Sequence, residues 1–253
     1  MLSKNKIKLI QSLNRKKHRD ETSLFLVEGN KMVEEALRSE YQVELVVCTS
    51  AFLAHHPDIA VSVNELIETD IETLQKASLL QNPQDSLAII RQPLNSKPEL
   101  NLNHDLILAL DFIQDPGNLG TIFRIADWFG ISSVICSENT VDNFNPKVVQ
   151  ASMGAIFRVK TWYANLPEFL NEIREFQMPI YGTFLDGQNI YTEALTSNGI
   201  IILGNEGNGI SDLAGKFVTN RLLIPSFSSN DNKTESLNVA IATAICCSEF
   251  RRR

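Results

Sequence analysis

Three short stretches of the 253-residue chain hold more polar and conformationally special residues than packing alone requires. The first is Asp111–Arg124, DFIQDPGNLGTIFR. Pro116-Gly117 ends a strand and opens a helix, and Asn118 and Thr121 fall where side-chain oxygens can satisfy free N–H groups of a first turn. Such a helix start also attracts phosphate. Leu119, Ile122, Phe123, Ala126 and Phe129 share one helical stripe; Arg124 lies off it, beside Thr121 and Trp128, with a guanidinium free to meet an anion. The second stretch, Ile200–Gly209 (IIILGNEGNG), follows a buried strand with three glycines and one carboxylate, Glu206. Glycines there let backbone approach a ligand. Their GxxGxG spacing is not the GxGxxG dinucleotide fingerprint, and no GxxxxGK[ST] occurs. The third runs from Leu223 to Ala244. A strand ends at Pro225, a polar loop follows, Ser236 starts a helix with Asn238 in its first turn, and Ala240, Ala242 and Ala244 keep that helix slender. Taken singly, each stretch also fits a plain reading: a capped helix with a surface arginine, a strand-to-helix turn, a loop ahead of a core helix.

The elements that must position these groups follow from periodicity. Residues 2–13 form a loosely amphipathic helix, and Leu24–Glu28 a strand broken by Gly29-Asn30. Lys31–Ser39 is helical, Val43–Cys48 a strand, and Val61–Val63 a brief strand, with Asn64 capping a helix that runs to about Ala77. Ser86–Arg91 is a further strand. This is a small α/β unit, residues 1–91. Gln92–His104 holds two prolines and three asparagines with no periodic pattern and reads as a linker. A second unit, 105–253, alternates strands (Asp105–Asp111, Ser133–Cys136, Phe157–Lys160, Pro179–Phe184, Ile200–Leu203, Arg221–Ile224) with helices, the last being Ser236–Phe250. Several strands are apolar throughout, as in a parallel sheet covered on both faces. All three polar stretches then lie at carboxyl ends of strands, where open α/β sheets bind ligands.

Composition narrows the function. A 43% apolar content suits a chain with a real core. No apolar run approaches the roughly 20 residues of a membrane span, and the N-terminus lacks the pattern of a signal peptide. Cys48, Cys136, Cys246 and Cys247 form no CxxC pair and read as reduced core residues of a cytoplasmic protein. His18, His55, His56 and His104 are scattered, so no metal site is expected. The net charge is −7, yet residues 1–19 carry seven Lys/Arg and no acid, leaving −14 on the other 234 residues. A basic arm on an acidic body suggests a polyanion at one end, with Lys16, Lys17 and Arg19 as candidate RNA contacts.

Together the three stretches resemble the three motifs of the SpoU (TrmH-type) branch of the SPOUT RNA methyltransferases. The matching residues are Asn118–Arg124 (NLGTIFR), Leu203–Gly209 (LGNEGNG), and Ile224-Pro225 with Ser236–Ala240 (SLNVA). Their order and spacing match across residues 105–253, and Ala151–Phe157 (ASMGAIF) resembles a further family segment. Phe25–Gly29 and the basic start are similar to the small substrate-binding domain many members carry, itself similar to ribosomal proteins that bind kinked RNA. Two departures stand out: the loop 226–235 is longer and more polar than the family pattern and lacks its glycine, and Ala240 stands for a common serine.

The resemblance implies a C-terminal SPOUT domain with a trefoil knot, although knots are nearly absent from folds in general. It implies S-adenosylmethionine bound by Thr183, Leu203, Gly204, Glu206, Gly207, Ile224 and Leu237, and a homodimer with the site at the subunit interface. It implies 2′-O-methylation of a ribose in structured RNA, ribosomal RNA favoured over transfer RNA, by a set of Asn118, Arg124, Glu206, Ser236 and Asn238. The family assigns activation of the 2′-hydroxyl largely to the arginine matching Arg124. A guanidinium pKa above about 12 makes it a poor proton acceptor, so phosphate holding and charge stabilisation suit it better. The competing readings are a transfer-RNA enzyme and a non-catalytic RNA-binding protein that keeps the fold.

Overall fold

The computed structural model describes residues 2–228 and 236–252. They form two compact units, Met1–Leu94 with Asp142–Arg158, and Asn95–Val141 with Val159–Arg253. The elements of the N-terminal stretch are α1 (Lys4–Ser12), α2 (Lys16–Thr22), β1 (Leu24–Glu28), α3 (Asn30–Arg38), β2 (Val43–Cys48), α4 (Ser50–His55), β3 (Leu66–Glu68), α5 (Ile71–Ala77) and β4 (Ser86–Arg91). The remainder holds β5 (Leu106–Asp111), α6 (Pro116–Trp128), β6 (Ser133–Ser137), α7 (Pro146–Ser152), β7 (Lys160–Ala164), α8 (Leu166–Ile173), β8 (Ile180–Asn189), β9 (Gly199–Gly204), α9 (Asp212–Gly215), β10 (Asn220–Leu223) and α10 (Val239–Arg252).

In the first unit β1, β4, β2 and β3 form a sheet in that order, antiparallel except for the parallel β2/β3 pair. Ile10, Leu13, Leu26, Leu45, Val47, Leu74, Leu87 and Ile89 build its core, so the apolar stripe of α1 faces inward. The third strand differs from the sequence reading. Val61 ends a 3₁₀ turn that starts at Ile59, and the strand is Leu66–Glu68, paired with Val46–Cys48. Asn64 caps no helix; Asp70 does, accepting from the Thr73 backbone at 2.7 Å. Parallel pairing with β2 claims residues 66–68 and pushes the helix start past them.

The segment Asp142–Arg158, carrying α7, belongs to this first unit although it lies deep in the second half of the chain. Phe144 stacks on Phe25 with ring centroids 4.5 Å apart, and Phe157 meets Tyr41 edge-on at 5.3 Å. Arg19 ties the segment down. It was expected at an RNA surface but is 1% exposed. Its guanidinium donates to the Asp142 carboxylate, from Nε at 2.9 Å and also from Nη2, and to the Leu13 carbonyl at 2.7 Å. All three guanidinium nitrogens are engaged and the side chain is buried, so Arg19 presents nothing to an RNA phosphate. Lys16 and Lys17 stay exposed on α2, each paired with an acid one turn on, Asp20 and Glu21.

The second unit is a six-stranded parallel sheet ordered β10-β8-β9-β5-β6-β7. All of β5 and all but the last residue of β9 are buried, as a sheet covered on both faces requires. α6 packs against α10. The chain builds β6 and β7 on one side of β5, then crosses to build β8, β9 and β10 on the other. The winding therefore reverses between β5 and β9, and the crevice outside their carboxyl ends is the switch point where such sheets bind ligands.

Removing one partner of a buried ion pair strands the other charge, at a cost of about 3–5 kcal/mol. Arg19→Ala should lower the unfolding free energy by that order in urea denaturation. An unchanged midpoint would show that the pair contributes nothing.

Candidate active site

The first polar stretch sits at the switch point. Its strand-to-helix turn is capped by Asp115, whose carboxylate accepts from the Asn118 backbone at 2.7 Å, with Pro116 at the first helical position. Asn118 and Thr121 were expected to cap this turn. Thr121 instead donates back to the Gly117 carbonyl at 2.8 Å. Because Asp115 takes the free N–H group, the Asn118 side chain is released for other work. The signal for this was present in sequence as Asp directly before Pro at a helix start.

The second stretch folds back on itself. Asn205 and Gly209 bridge reciprocally at 3.1 and 2.8 Å, and Asn205 Oδ1 accepts from the Gly207 and Asn208 backbones at 2.8 and 3.2 Å. Gly204 must be glycine: a Cβ there would fall 2.2 Å from the Gly209 carbonyl carbon. The loop is therefore tight, with Glu206 exposed at its turn. Buried Asp111 holds the far side, accepting from the Ser211 backbone at 2.8 Å.

In the third stretch the helix begins later than Ser236. Asn238 precedes α10 and its Oδ1 accepts from the Ala240 and Ile241 backbones at 3.0 and 3.3 Å. The cap role expected of Ser236 thus belongs to Asn238, two residues on. Ser236 is exposed, and no hydrogen bond among the described residues joins it to Asn118 or Glu206.

One side chain connects all three stretches. Asn118 Nδ2 donates to the Glu206 carboxylate, and Asn118 Oδ1 accepts from Asn238 Nδ2 at 2.9 Å. The polarity of this relay is fixed at both ends. An ionised carboxylate only accepts, so the Asn118 amide must turn its NH₂ to Glu206. Backbone N–H groups only donate, so Asn238 must turn its oxygen to α10. The two amides then meet donor to acceptor, and no other orientation satisfies every group.

The sequence model of the SpoU rRNA Methylase family matches residues 105–248, and that of the MRM3-like substrate binding domain matches residues 4–88. The chain belongs to the SpoU rRNA methylase family. A Bacillus subtilis relative, 23S rRNA (guanosine(2553)-2'-O)-methyltransferase RlmP, is 32% identical over 97% of this chain and 96% of its own. A TrmH-family structure from Porphyromonas gingivalis is 41% identical, with a TM-score of 0.89 over 100% of this chain and 99% of that one. An AdoMet-bound rRNA methyltransferase from Sinorhizobium meliloti is 30% identical, with a TM-score of 0.86 over 100% and 97%.

Of the residues expected to act in this SpoU domain, Asn118, Glu206 and Asn238 come together. Arg124 is exposed on α6, about 1.7 turns beyond Asn118, and makes no hydrogen bond or ion pair among the described residues. Thr183, Gly204 and Ile224 stand at the carboxyl ends of the ladders of β8, β9 and β10, with Leu203 buried and Gly207 exposed in the loop. Leu237 is half exposed just before α10. Most of the loop 226–235, noted for its length and polarity, lies outside the described residues. Asn205 and Asp115 escaped sequence reasoning. Asn205 was hidden inside a glycine loop read for its glycines, although an asparagine ahead of two tight-turn residues is itself a turn signal.

The cysteines are poorly placed for nucleophilic chemistry. All four cysteines are free and buried. Burial, with help from the Glu68 carboxylate, pushes the Cys48 thiol up to about 11; burial lifts Cys247 to about 12 and Cys136 and Cys246 higher still. Thiols held protonated are poor nucleophiles. No cluster of metal ligands occurs among the described residues, and no described helix is long and apolar enough to cross a membrane.

Proposed function

We propose that this chain methylates a ribose 2′-hydroxyl of ribosomal RNA, using S-adenosylmethionine, in the cytoplasm. The observation that carries the reading is the Glu206–Asn118–Asn238 relay, which gathers one polar residue from each of the three stretches at the switch point. The Bacillus subtilis relative named for 2'-O-methylation of 23S rRNA and the AdoMet-bound Sinorhizobium meliloti structure support it. A protein that only bound RNA would have no need of so specific a relay.

The residues present suit the methyl donor. Apolar Leu203, Ile224 and Leu237 together with the polar glycine loop would give the mix of apolar walls and a few fixed polar groups that small-molecule sites use. Thr183, Gly204, Glu206 and Gly207 complete the set that would hold it. When bound, S-adenosylmethionine supplies a methyl carbon on a sulfonium whose neutral thioether leaves readily. The demanding partner is the 2′-hydroxyl, and this chain's own groups address it. The Arg124 guanidinium is exposed and meets no described acid, so it is free to hold an RNA phosphate and to stabilise negative charge developing on the 2′-oxygen. Asn118 and Asn238 fix the ribose side of the site, and Ser236 lies next to Asn238 to assist. Glu206 anchors the glycine loop through Asn118. Holding both reactants in line can lower a barrier by several kcal/mol, up to roughly 7–11 in ideal geometry. The first unit would recognise the RNA, with Lys16 and Lys17 exposed on α2.

Two further properties belong to this reading. The first is a knot. Between Gly182 and Gln188, β8 leaves its ladder while β10 advances only from Arg221 to Leu222. A Cβ on Gly187 would fall 2.5 Å from the Leu222 carbonyl carbon. The bulge keeps β8 beside β10, and the knot itself rests on the family resemblance. The second is a homodimer. Trp128 on α6 is 85% exposed, and Leu237 and Ile241, one turn apart at the start of α10, are 48% and 53% exposed. Large apolar side chains exposed along a packed helix pair fit a face that a second copy of the chain would cover.

Arg124→Ala should reduce transfer of labelled methyl to ribosomal RNA from cells lacking this protein by at least about 10²-fold, with donor affinity intact. Digestion should locate the wild-type label in a 2′-O-methyl nucleoside, and near wild-type transfer by the variant would remove Arg124 from the mechanism. In light scattering the wild type should weigh about twice 28.3 kDa, and Trp128→Asp should shift it towards that single-chain mass. A wild type of single-chain mass would rule out the dimer.

A further inference from the structure

Four non-glycine residues among those described have positive φ: Ser23, Phe112, Met153 and Gln177. Three of them end helical turns, where a left-handed residue is an ordinary terminator. Phe112 alone follows a strand, at the carboxyl end of β5, with φ +66°. A bulky side chain pays a steric penalty there that glycine would not, so the conformation persists only because its surroundings impose it.

Those surroundings are specific. The Phe112 N–H donates to Ser137 Oγ at 2.8 Å, and the Phe112 carbonyl accepts from Asn205 Nδ2 at 3.0 Å. Ser137 is itself braced by Thr140 at 3.1 Å, which donates to the Leu110 carbonyl at 3.2 Å. Asn205 is the residue that shapes the Glu206 loop. Both sides of the Phe112 backbone are therefore clamped, one by the end of β6 and the other by that loop. The following residue, Ile113, is fully buried, whereas Phe112 is 37% exposed. A strained backbone thus holds an apolar ring out towards solvent at the switch point, where a packing role would have turned it inward.

We propose that Phe112 is a substrate-binding residue whose ring stacks on an unpaired nucleobase of the RNA. The inference rests on the reading of this site as an RNA ribose methyltransferase. A 2′-oxygen approached in line belongs to a nucleotide lifted from its helical stack, and the bases around it lose a stacking partner. A rigid aromatic ring replaces that partner with little ordering cost, as single-stranded RNA recognition commonly requires. The clamp by Asn205 sets the ring in register with the loop that carries Glu206, so base and ribose would be positioned by one continuous hydrogen-bonded unit.

The test measures methyl transfer to ribosomal RNA from cells lacking this protein, together with equilibrium binding of S-adenosylmethionine, for wild type, Phe112→Tyr, Phe112→Leu and Phe112→Gly. Stacking worth about 1–3 kcal/mol per base predicts that the Leu and Gly variants raise KM for RNA roughly 5- to 150-fold, while Tyr keeps it within about twofold. Donor affinity should not change. Glycine accepts φ +66° without strain, so a loss in that variant with an undiminished melting temperature reports the ring and not the fold. Unchanged KM for RNA in both Leu and Gly variants overturns the proposal. So does weakened donor binding with unchanged KM for RNA, which would put the ring against the donor. A wild type that methylates no RNA would overturn the functional reading itself, and this inference with it.

Discussion

The arrangement depends on one primary amide. Asn118 must donate to a carboxylate and accept from a second amide at once, and among side chains only Asn and Gln present a donor and an acceptor so rigidly opposed. Its two partners come from segments 88 and 120 residues further along the chain. A shorter or longer group at position 118 would lose one of them. The same amide is available only because Asp115 already satisfies the helix start, so a capping residue three positions away is part of the site without touching it.

The parallel sheet exists, functionally, to bring those segments together. Parallel strands all deliver their loops to one edge, and the reversal of winding between β5 and β9 puts the switch point there. Gly204 then lets the loop after β9 close on itself, and Asn205 fastens it back to β5 through the Phe112 carbonyl. Each strand end is tied to the next: Asp111 to Ser211, Phe112 to Ser137 and Asn205, Asn118 to Glu206 and Asn238. A site fixed this way needs little reorganisation when substrates arrive, which is the condition under which hydrogen-bond donors contribute most to catalysis.

Much of this was legible in the sequence, and the failures have physical causes. The buried strands β5 and β9 announced themselves as apolar runs, and the glycines and asparagines of the motifs marked strand ends. Ser236 was read as the start of the last helix because serine favours caps, yet Asn238 holds that place since its amide can cap α10 and still reach Asn118. Val61–Val63 looked like a strand by residue type, but the partner strand β2 pairs with Leu66–Glu68 instead. Arg19 looked like one more cation in a basic arm. Nothing local marks it as the partner of Asp142, 123 residues away. Phe112 was invisible for the opposite reason: residue type argues against a positive φ, and only the clamp around it overrides that preference.

Asn118 couples the glycine loop to the start of α10. A double-mutant cycle on kcat/KM, pairing Glu206→Gln with Asn238→Ala, measures that coupling directly, because no hydrogen bond among the described residues joins the two positions themselves. Repeating the cycle with Asn118→Ala removes the side chain that joins them. The relay should give a coupling of at least about 0.5 kcal/mol with Asn118 in place and additivity once it is gone. Additive effects with Asn118 intact, or a coupling that survives its loss, would contradict it.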